Sequence, residues 1–348
     1  MLSSTKIRID VVGAGLIGAR HVALLDECQR TVIGAIVDPT ETGRELAKRC
    51  GIVWFASIDE RLKVGKADGA IIATPNNLHV DTALQYVSAG TPVLVEKPIA
   101  DTAASAQLLI NEAAKLNIPV LVGHHRRHNP IIKAARERLL DGQLGKIVSV
   151  HASCWLYKPD EYFNVDWRTR KGAGPVFINL IHDIDLLRHL LGEVVSVQAV
   201  EANQTRGHEV EDTAVVLLIF ENGAVGTVTV SDTIVAPWSW ELTAGENPAY
   251  PVTNQSSYLI GGTHGSLEIP SGRIWHQEGE RSWWQPILQT TYEVEPVDPL
   301  MAQIEHFCDV IDGTSEPVVP GKEGLKSLTV IEAIKHAART GERVPLIA

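Results

Sequence analysis

Apolar and polar positions alternate in blocks over the first third of the chain. Ile7–Val12 is a short apolar run ending in glycines, which predicts a buried strand. A helix is expected from near Leu16. Further apolar runs at Val32–Val37, Ala67–Ala73, Pro92–Val95 and Val120–Gly123 predict strands. His79–Ala89 and Asp101–Leu116 carry helical patterns between them, with Asp101 as the expected N-cap. This alternation predicts an α/β domain built on a doubly wound parallel sheet.

From about Val148 the texture changes. The runs "VVSVQAV", "TAVVLLIF" and "AVGTVTVS" read as strands, and Glu221–Gly223 ("ENG") is a hairpin turn signal. "YLIGG", "GSLEIP" and "RIWHQ" predict shorter strands. Consecutive strands with short turns predict an antiparallel sheet. Helices are expected at Ile131–Leu140, Val176–Leu191, Leu300–Asp312 and Leu325–Arg339. In the third, Ile304, Phe307, Cys308 and Ile311 have the spacing of one buried face. The second domain is therefore expected to be α+β, and the division is drawn as 1–125 and 126–348.

Composition narrows the function classes. A chain of 348 residues exceeds one ordinary hydrophobic core, in keeping with two domains. A net charge of −11 argues against nucleic acid or an anionic membrane as the main partner. No apolar run is long enough for a membrane span, and residues 1–6 carry no secretion signal. Cys28, Cys50, Cys154 and Cys308 are far apart, and they read as reduced, buried thiols of a cytoplasmic protein.

Candidate chemistry begins at Gly13, Gly15 and Gly18, which spell G-x-G-x-x-G between the first strand and its helix. The first glycine permits a tight turn, the second a close approach to a pyrophosphate, and the third close helix–strand packing. The helix N-terminus, at Leu16 and Ile17, adds free N–H groups and a positive partial charge. Asp38 follows Gly18 by twenty residues at the end of the second strand. An acid there accepts hydrogen bonds from a ribose 2′-hydroxyl and repels a 2′-phosphate, which favours NAD over NADP. Asp38 could also cap the helix of "PTETGRELAKRC". Other polar clusters end the later strands: Thr74, Pro75 and Asn76 with His79 in "TPNNLH", then Glu96 and Lys97, then His124–Arg127. In such sheets ligands bind outside the carboxyl ends of the strands.

The segment "GAGPVFINLIHDIDLLRHLLG" carries the second concentration of polar groups. Leu180, Ile184, Leu187 and Leu191 form one apolar stripe, roughly opposite His182 at about 100° per residue. Asn179 and Asp185 then lie about 60° to either side of His182. Ile178 and Leu186 flank this mixed face, which reads either as the wall of a cleft or as a helix packed on another domain or subunit. His182, Asp185 and His189 do not have metal-site spacing.

Taken in order, "VVGAGLIGARH", Asp38, "ATPNNLH", "EKP", "HHRRHNP", "DWR" and "GAG…HDID" make the chain resemble the glucose–fructose oxidoreductase / inositol dehydrogenase / rhizopine catabolism (Gfo/Idh/MocA) family over essentially its whole length. The resemblance implies a Rossmann domain followed by an α/β domain with an open, mostly antiparallel sheet. That sheet is expected to make a homodimer or homotetramer. It further implies oxidation or reduction of a secondary alcohol of a sugar or cyclitol with a nicotinamide cofactor. Lys97 matches the family's active-site lysine and His182 its catalytic histidine. Asp185 and Arg127 match substrate-contact positions, and Trp167 and Arg168 a pair near the cofactor. Many members carry an acid four residues before the histidine, where this chain has Ile178, with Asn179 next to it. Trp155, with Tyr157, Tyr162, Trp238 and Trp240, offers apolar faces for a pyranose ring or for packing. "HHRRH" offers a site for an acidic substrate or interdomain salt bridges. Sugar-acid or dihydrodiol oxidation, an NAD-assisted lyase or glycosidase, and a non-catalytic NAD sensor are the alternatives.

Overall fold

The computed structural model describes residues 6–346. The chain divides into two compact units, residues 1–128 with 299–328, and residues 129–298 with 329–348. The division drawn from the sequence gave each domain one continuous segment, whereas here the chain re-enters the first unit late. The reason is visible in its core. Helix Pro299–Ile311 contributes Ile304, Phe307, Cys308 and Val310 to the cluster containing Ile9, Val11, Leu25 and Ile71.

The first unit holds β1 (Ile7–Val12), α1 (Leu16–Glu27), β2 (Thr31–Val37), α2 (Glu41–Cys50), β3 (Trp54–Phe55), α3 (Ile58–Val64), β4 (Gly69–Ile72), α4 (His79–Ser88), β5 (Val93–Val95), α5 (Ala103–Leu116) and β6 (Val120–Val122). The strands form a parallel six-stranded sheet in the order β3-β2-β1-β4-β5-β6. The order reverses between β1 and β4, where a doubly wound sheet opens its crevice. Asp10 interrupts the apolar β1 but is fully buried. It accepts from the Tyr86 hydroxyl at 3.1 Å and pairs with Arg61 at 2.9 Å. Thr102, not Asp101, caps α5, its side chain accepting from the Ser105 N–H. The last helix starts at Gly321, four residues before the expected Leu325. A Cβ on Gly324 would sit 2.7 Å from the Val122 side chain, so glycine allows the close packing of this helix on β6.

The second unit holds α6 (Pro130–Leu140), β7 (Ile147–Trp155), α7 (Ile181–Leu191), β8 (Val194–Ala202), β9 (Thr213–Phe220), β10 (Val225–Ser231), α8 (Trp240–Thr243), β11 (Tyr258–Gly262), β12 (Gly265–Ile269), β13 (Arg273–His276), β14 (Leu288–Thr291) and β15 (Val344–Pro345). Its nine-stranded sheet is ordered β14-β13-β12-β11-β7-β10-β9-β8-β15. The pairing is antiparallel except between β7 and β10, which run parallel. The strand β7 carries polar residues on its outer side and gives no continuous apolar run, so the sequence hides it. One face of the sheet packs on α6, α7 and residues of the last helix through Val150, Ala152, Val216, Leu218, Val228, Ile260 and Ile334. The other face is left open. Three of the four cysteines are buried as expected, but Cys50, at the end of α2, is exposed.

Candidate active site

In the first unit the glycine loop has the geometry its sequence demands. Gly13 has φ +96°, and a Cβ on it would lie 2.5 Å from the Ala73 carbonyl oxygen. A Cβ on Gly18 would lie 2.0 Å from the Gly13 carbonyl oxygen, so the helix approaches the loop backbone to backbone. Gly15 caps α1 without a side-chain bond, nothing lies within 4 Å of where its Cβ would be, and Leu16 is 94% exposed. The buried Thr74 hydroxyl, at the end of β4, has no hydrogen-bond partner among the described residues. Open space, free helix N–H groups and an unspent hydroxyl fit a dinucleotide pyrophosphate.

Asp38 ends β2 and is nearly buried. One carboxylate oxygen accepts from the Ala14 N–H at 2.7 Å, and the other from the Thr40 N–H at 2.8 Å and the Thr40 hydroxyl. Asp38 thus ties the glycine loop to the end of β2, and the oxygen that accepts from Ala14 keeps a lone pair for a ribose hydroxyl. The cap of α2 is Thr40, which accepts from the Gly43 N–H.

The strand-end residues separate into those that face open space and those that brace the loops. Pro75 is exposed and Asn76 partly so. His79 is 1% exposed, with its ring nitrogens 2.8 Å from the Pro98 and Thr74 carbonyl oxygens. Burial lowers its pKa, and the two carbonyls oppose that shift, while the ring braces the loop beneath the Lys97–Pro98 turn. Glu96 is also turned inward, onto His21 of α1 at 2.7 Å. Burial alone would push this carboxyl up. The hydrogen bond and charge of His21, with His125 and Lys97, outweigh it and hold the pKa at about 2. Arg127 is buried and pairs with Glu323 at 3.2 Å. The sequence grouped His79, Glu96 and Arg127 with ligand-facing residues; here His79 meets the Pro98 and Thr74 carbonyls, Glu96 meets His21 and Arg127 meets Glu323.

In the second unit, His182 lies on α7, of which every residue but His189 is buried. Leu180, Ile184, Leu187 and Leu191 form the expected buried stripe, but the opposite side is covered as well. The expected uninterrupted α-helix over Val176–Leu191 is not what forms. Val176–Leu180 is a π-helical turn, a form that recurs at functional sites. Asn179 lies in this wider turn, so the angle of 100° per residue does not relate it to His182. Asp183 accepts from the Tyr258 hydroxyl and is fully buried. Asp185 is buried next to it in sequence.

Two residues that the sequence reading passed over organise this region. Glu211 accepts from the Val176 N–H at 2.9 Å and from Lys335, fixing the start of the π turn. Gly174, at φ +88°, leaves room for it, since a Cβ there would lie 2.4 Å from a Glu211 carboxylate oxygen. Lys158 donates to the Asn179 side-chain oxygen at 2.7 Å. Its ammonium lies 4.9 Å from the Tyr162 ring, and the Arg168 guanidinium lies 4.1 Å from that same ring. Trp167 is 54% exposed beside Arg168, and Trp155 packs edge-on against Trp238 at 5.5 Å. Only the unusual burial of Lys158, invisible in "LYKPDEY", marks it out.

Residues 7–124 match the model of the oxidoreductase family with an NAD-binding Rossmann fold, and residues 136–346 match that family's C-terminal alpha/beta domain. The chain belongs to the Gfo/Idh/MocA family. It is accordingly an oxidoreductase with an NAD-binding Rossmann domain. Among its relatives, the rhizopine catabolism protein MocA of Rhizobium meliloti is 26% identical over 94% of both chains. Inositol 2-dehydrogenase of Rhizobium meliloti is 23% identical, covering 94% of this chain and 95% of its own. Among solved structures, the WlbA dehydrogenase of Bordetella pertussis, in complex with NADH and UDP-GlcNAcA, superposes with a TM-score of 0.79 at 25% identity, over 99% of this chain and all of that one. Within the Gfo/Idh/MocA frame, the glycine loop, Asp38 and Thr74 hold positions suited to the cofactor, and the helix carrying His182 starts from a turn pinned by Glu211.

Proposed function

We propose that the chain is an NAD-preferring dehydrogenase acting on a secondary alcohol of a sugar, cyclitol or related cyclic polyol. When bound, the cofactor supplies the hydride acceptor at nicotinamide C4. His182 takes the hydroxyl proton as general base, since imidazole titrates near neutral pH. Lys97 donates a hydrogen bond to the substrate oxygen and stabilises its developing negative charge. The observation that carries the reading is the α1 N-terminus, with its open Gly15 and unspent Thr74 hydroxyl, in a chain that also keeps Lys97 and His182. The named substrates of the inositol relatives support a cyclic polyol. Asp38 supports NAD over NADP. Asp183 is not given a proton-relay role, because its carboxylate is turned onto Tyr258. The open face of the nine-stranded sheet supports self-association into a dimer or tetramer.

The test is the reduced-nicotinamide absorbance band, followed with NAD over inositols, aldoses, glycosides, sugar acids and cyclic dihydrodiols. One compound or more should raise the band. His182→Ala should then lower kcat by roughly 10²–10⁴-fold while NAD affinity stays nearly constant. Substrate consumed with no net reduction of NAD would replace this reading with transient oxidation in a lyase or glycosidase.

A further inference from the structure

Lys158 is 7% exposed, and among the described residues no carboxylate lies within ion-pair distance of its ammonium. The nearby acid Asp232 is committed to Arg206 at 2.7 Å. Arg206 also donates to the Lys158 and Asp232 carbonyl oxygens and so locks the loop from which Lys158 projects. The Tyr162 ring and the Asn179 oxygen offset only part of the cost of burying an ammonium with no carboxylate in contact, and a fold keeps one where something else repays the rest.

The hydrogen bond to Asn179 decides what that something is. An ammonium has only donors, so the Asn179 oxygen must face it, and the amide NH₂ faces away. That oxygen is the Asn179 side chain's only acceptor, and one of its two lone pairs is taken. What remains at this spot is two N–H bonds of Lys158 and the NH₂ of Asn179 against that one lone pair, so donors predominate. Asn179 precedes His182 by three residues. A cluster of donors with a net positive charge complements an anionic acceptor that takes several hydrogen bonds at once, which is a carboxylate.

Building on the dehydrogenase reading, we infer that Lys158 and Asn179 form a carboxylate subsite, and that the cyclic polyol oxidised by this protein is a sugar acid. The pair would fix the acid group of the substrate and thereby its ring, leaving His182 and Lys97 to act on a ring hydroxyl. A neutral sugar of the same shape leaves the ammonium unpaired, and it should bind worse for that reason. Arg127, the anion reader suggested by "HHRRH", is already paired with Glu323.

The experiment is calorimetric titration of the NADH-loaded protein with matched pairs: D-glucuronate against D-glucose, D-galacturonate against D-galactose, and UDP-glucuronate against UDP-glucose. At least one acid should bind tenfold or more tighter than its neutral partner. The free and nucleotide-linked pairs tell which form of the acid is read. Lys158→Met should reduce that ratio at least tenfold, and Lys158→Arg should retain most of it. A thermal melt of Lys158→Met separates this from a structural role, because removing an unpaired buried charge should leave the melting temperature unchanged or raised. No preference for any acid, including no binding by either member of every pair, overturns the subsite. So does a Lys158→Met variant that weakens acid and neutral ligands equally, or, where that variant unfolds, a Lys158→Gln variant that keeps the full acid preference. Because these are binding measurements, the subsite can fail while the dehydrogenase assay succeeds, and the reverse.

Discussion

Asp38 shows how much one carboxylate can decide. It holds the Ala14 N–H of the glycine loop and both donors of Thr40, and it ends the strand where a ribose would lie. Its negative charge should therefore select the cofactor, while its oxygens keep the loop in shape. Asp38→Asn keeps an oxygen for Ala14 and loses the charge that repels a 2′-phosphate, though its NH₂ gives up the bond from the Thr40 N–H. Steady-state assays with both cofactors should show the NAD-to-NADP ratio of kcat/KM falling by roughly tenfold or more, about 1.4 kcal/mol. A ratio unchanged in the variant would mean that the charge does not set the preference. The acid and the glycines were legible in the sequence because their spacing reflects backbone chemistry. The inward turn of His79 and Glu96 was not, because a polar residue at a strand end looks the same whether it meets a ligand or a buried partner such as His21.

At the scale of elements, the segment from Gly172 to Leu191 was legible as amphipathic, and its leucine stripe is buried as the spacing requires. The π turn was not legible, because its cause lies far away in sequence. Glu211, 35 residues beyond Val176, accepts its N–H, and Lys335 and Gly174 make room and charge for that acid. Likewise β7 shows no apolar run because polar residues alternate along its exposed side, and the last helix begins at Gly321, ahead of its apolar pattern, where Gly324 packs on Val122. Glu211→Ala tests the pinned turn. It strands a buried N–H and leaves Lys335 with Glu201 alone, so chemical denaturation should show a loss of about 1–3 kcal/mol. Turnover should fall by more than KM rises, since the turn sets where the His182 helix begins. Retained stability with full turnover would show that the helix finds its start without the acid.

For the molecule as a whole, the open sheet face is the feature that a solitary chain leaves unexplained. Val200 is 70% exposed, and Val215, Leu217, Val225 and Leu259 are each between 46% and 49% exposed. Leu217 pairs across to Gln198 and Thr227, Thr227 to His151, and His151 to Leu259, so these residues share one row across five adjoining strands. Val200, Val215 and Leu217 form an exposed apolar cluster on β8 and β9 flanked by Gln198, Thr227 and His151, and such a patch marks an interface. The self-association proposed above would cover it with a second copy of the same sheet under two-fold symmetry, in which each substitution is felt twice. Leu217 points out of the core, so Leu217→Glu should spare the fold of the single chain while burying a carboxylate from each copy in the contact. Light scattering should report a dimer or larger assembly for the wild type and a smaller species for the variant at the same concentration, with the melting curve moving only as far as dissociation requires. A wild-type protein that scatters as a monomer at micromolar concentration would refute the self-association, and the sheet would then need a different partner to cover it.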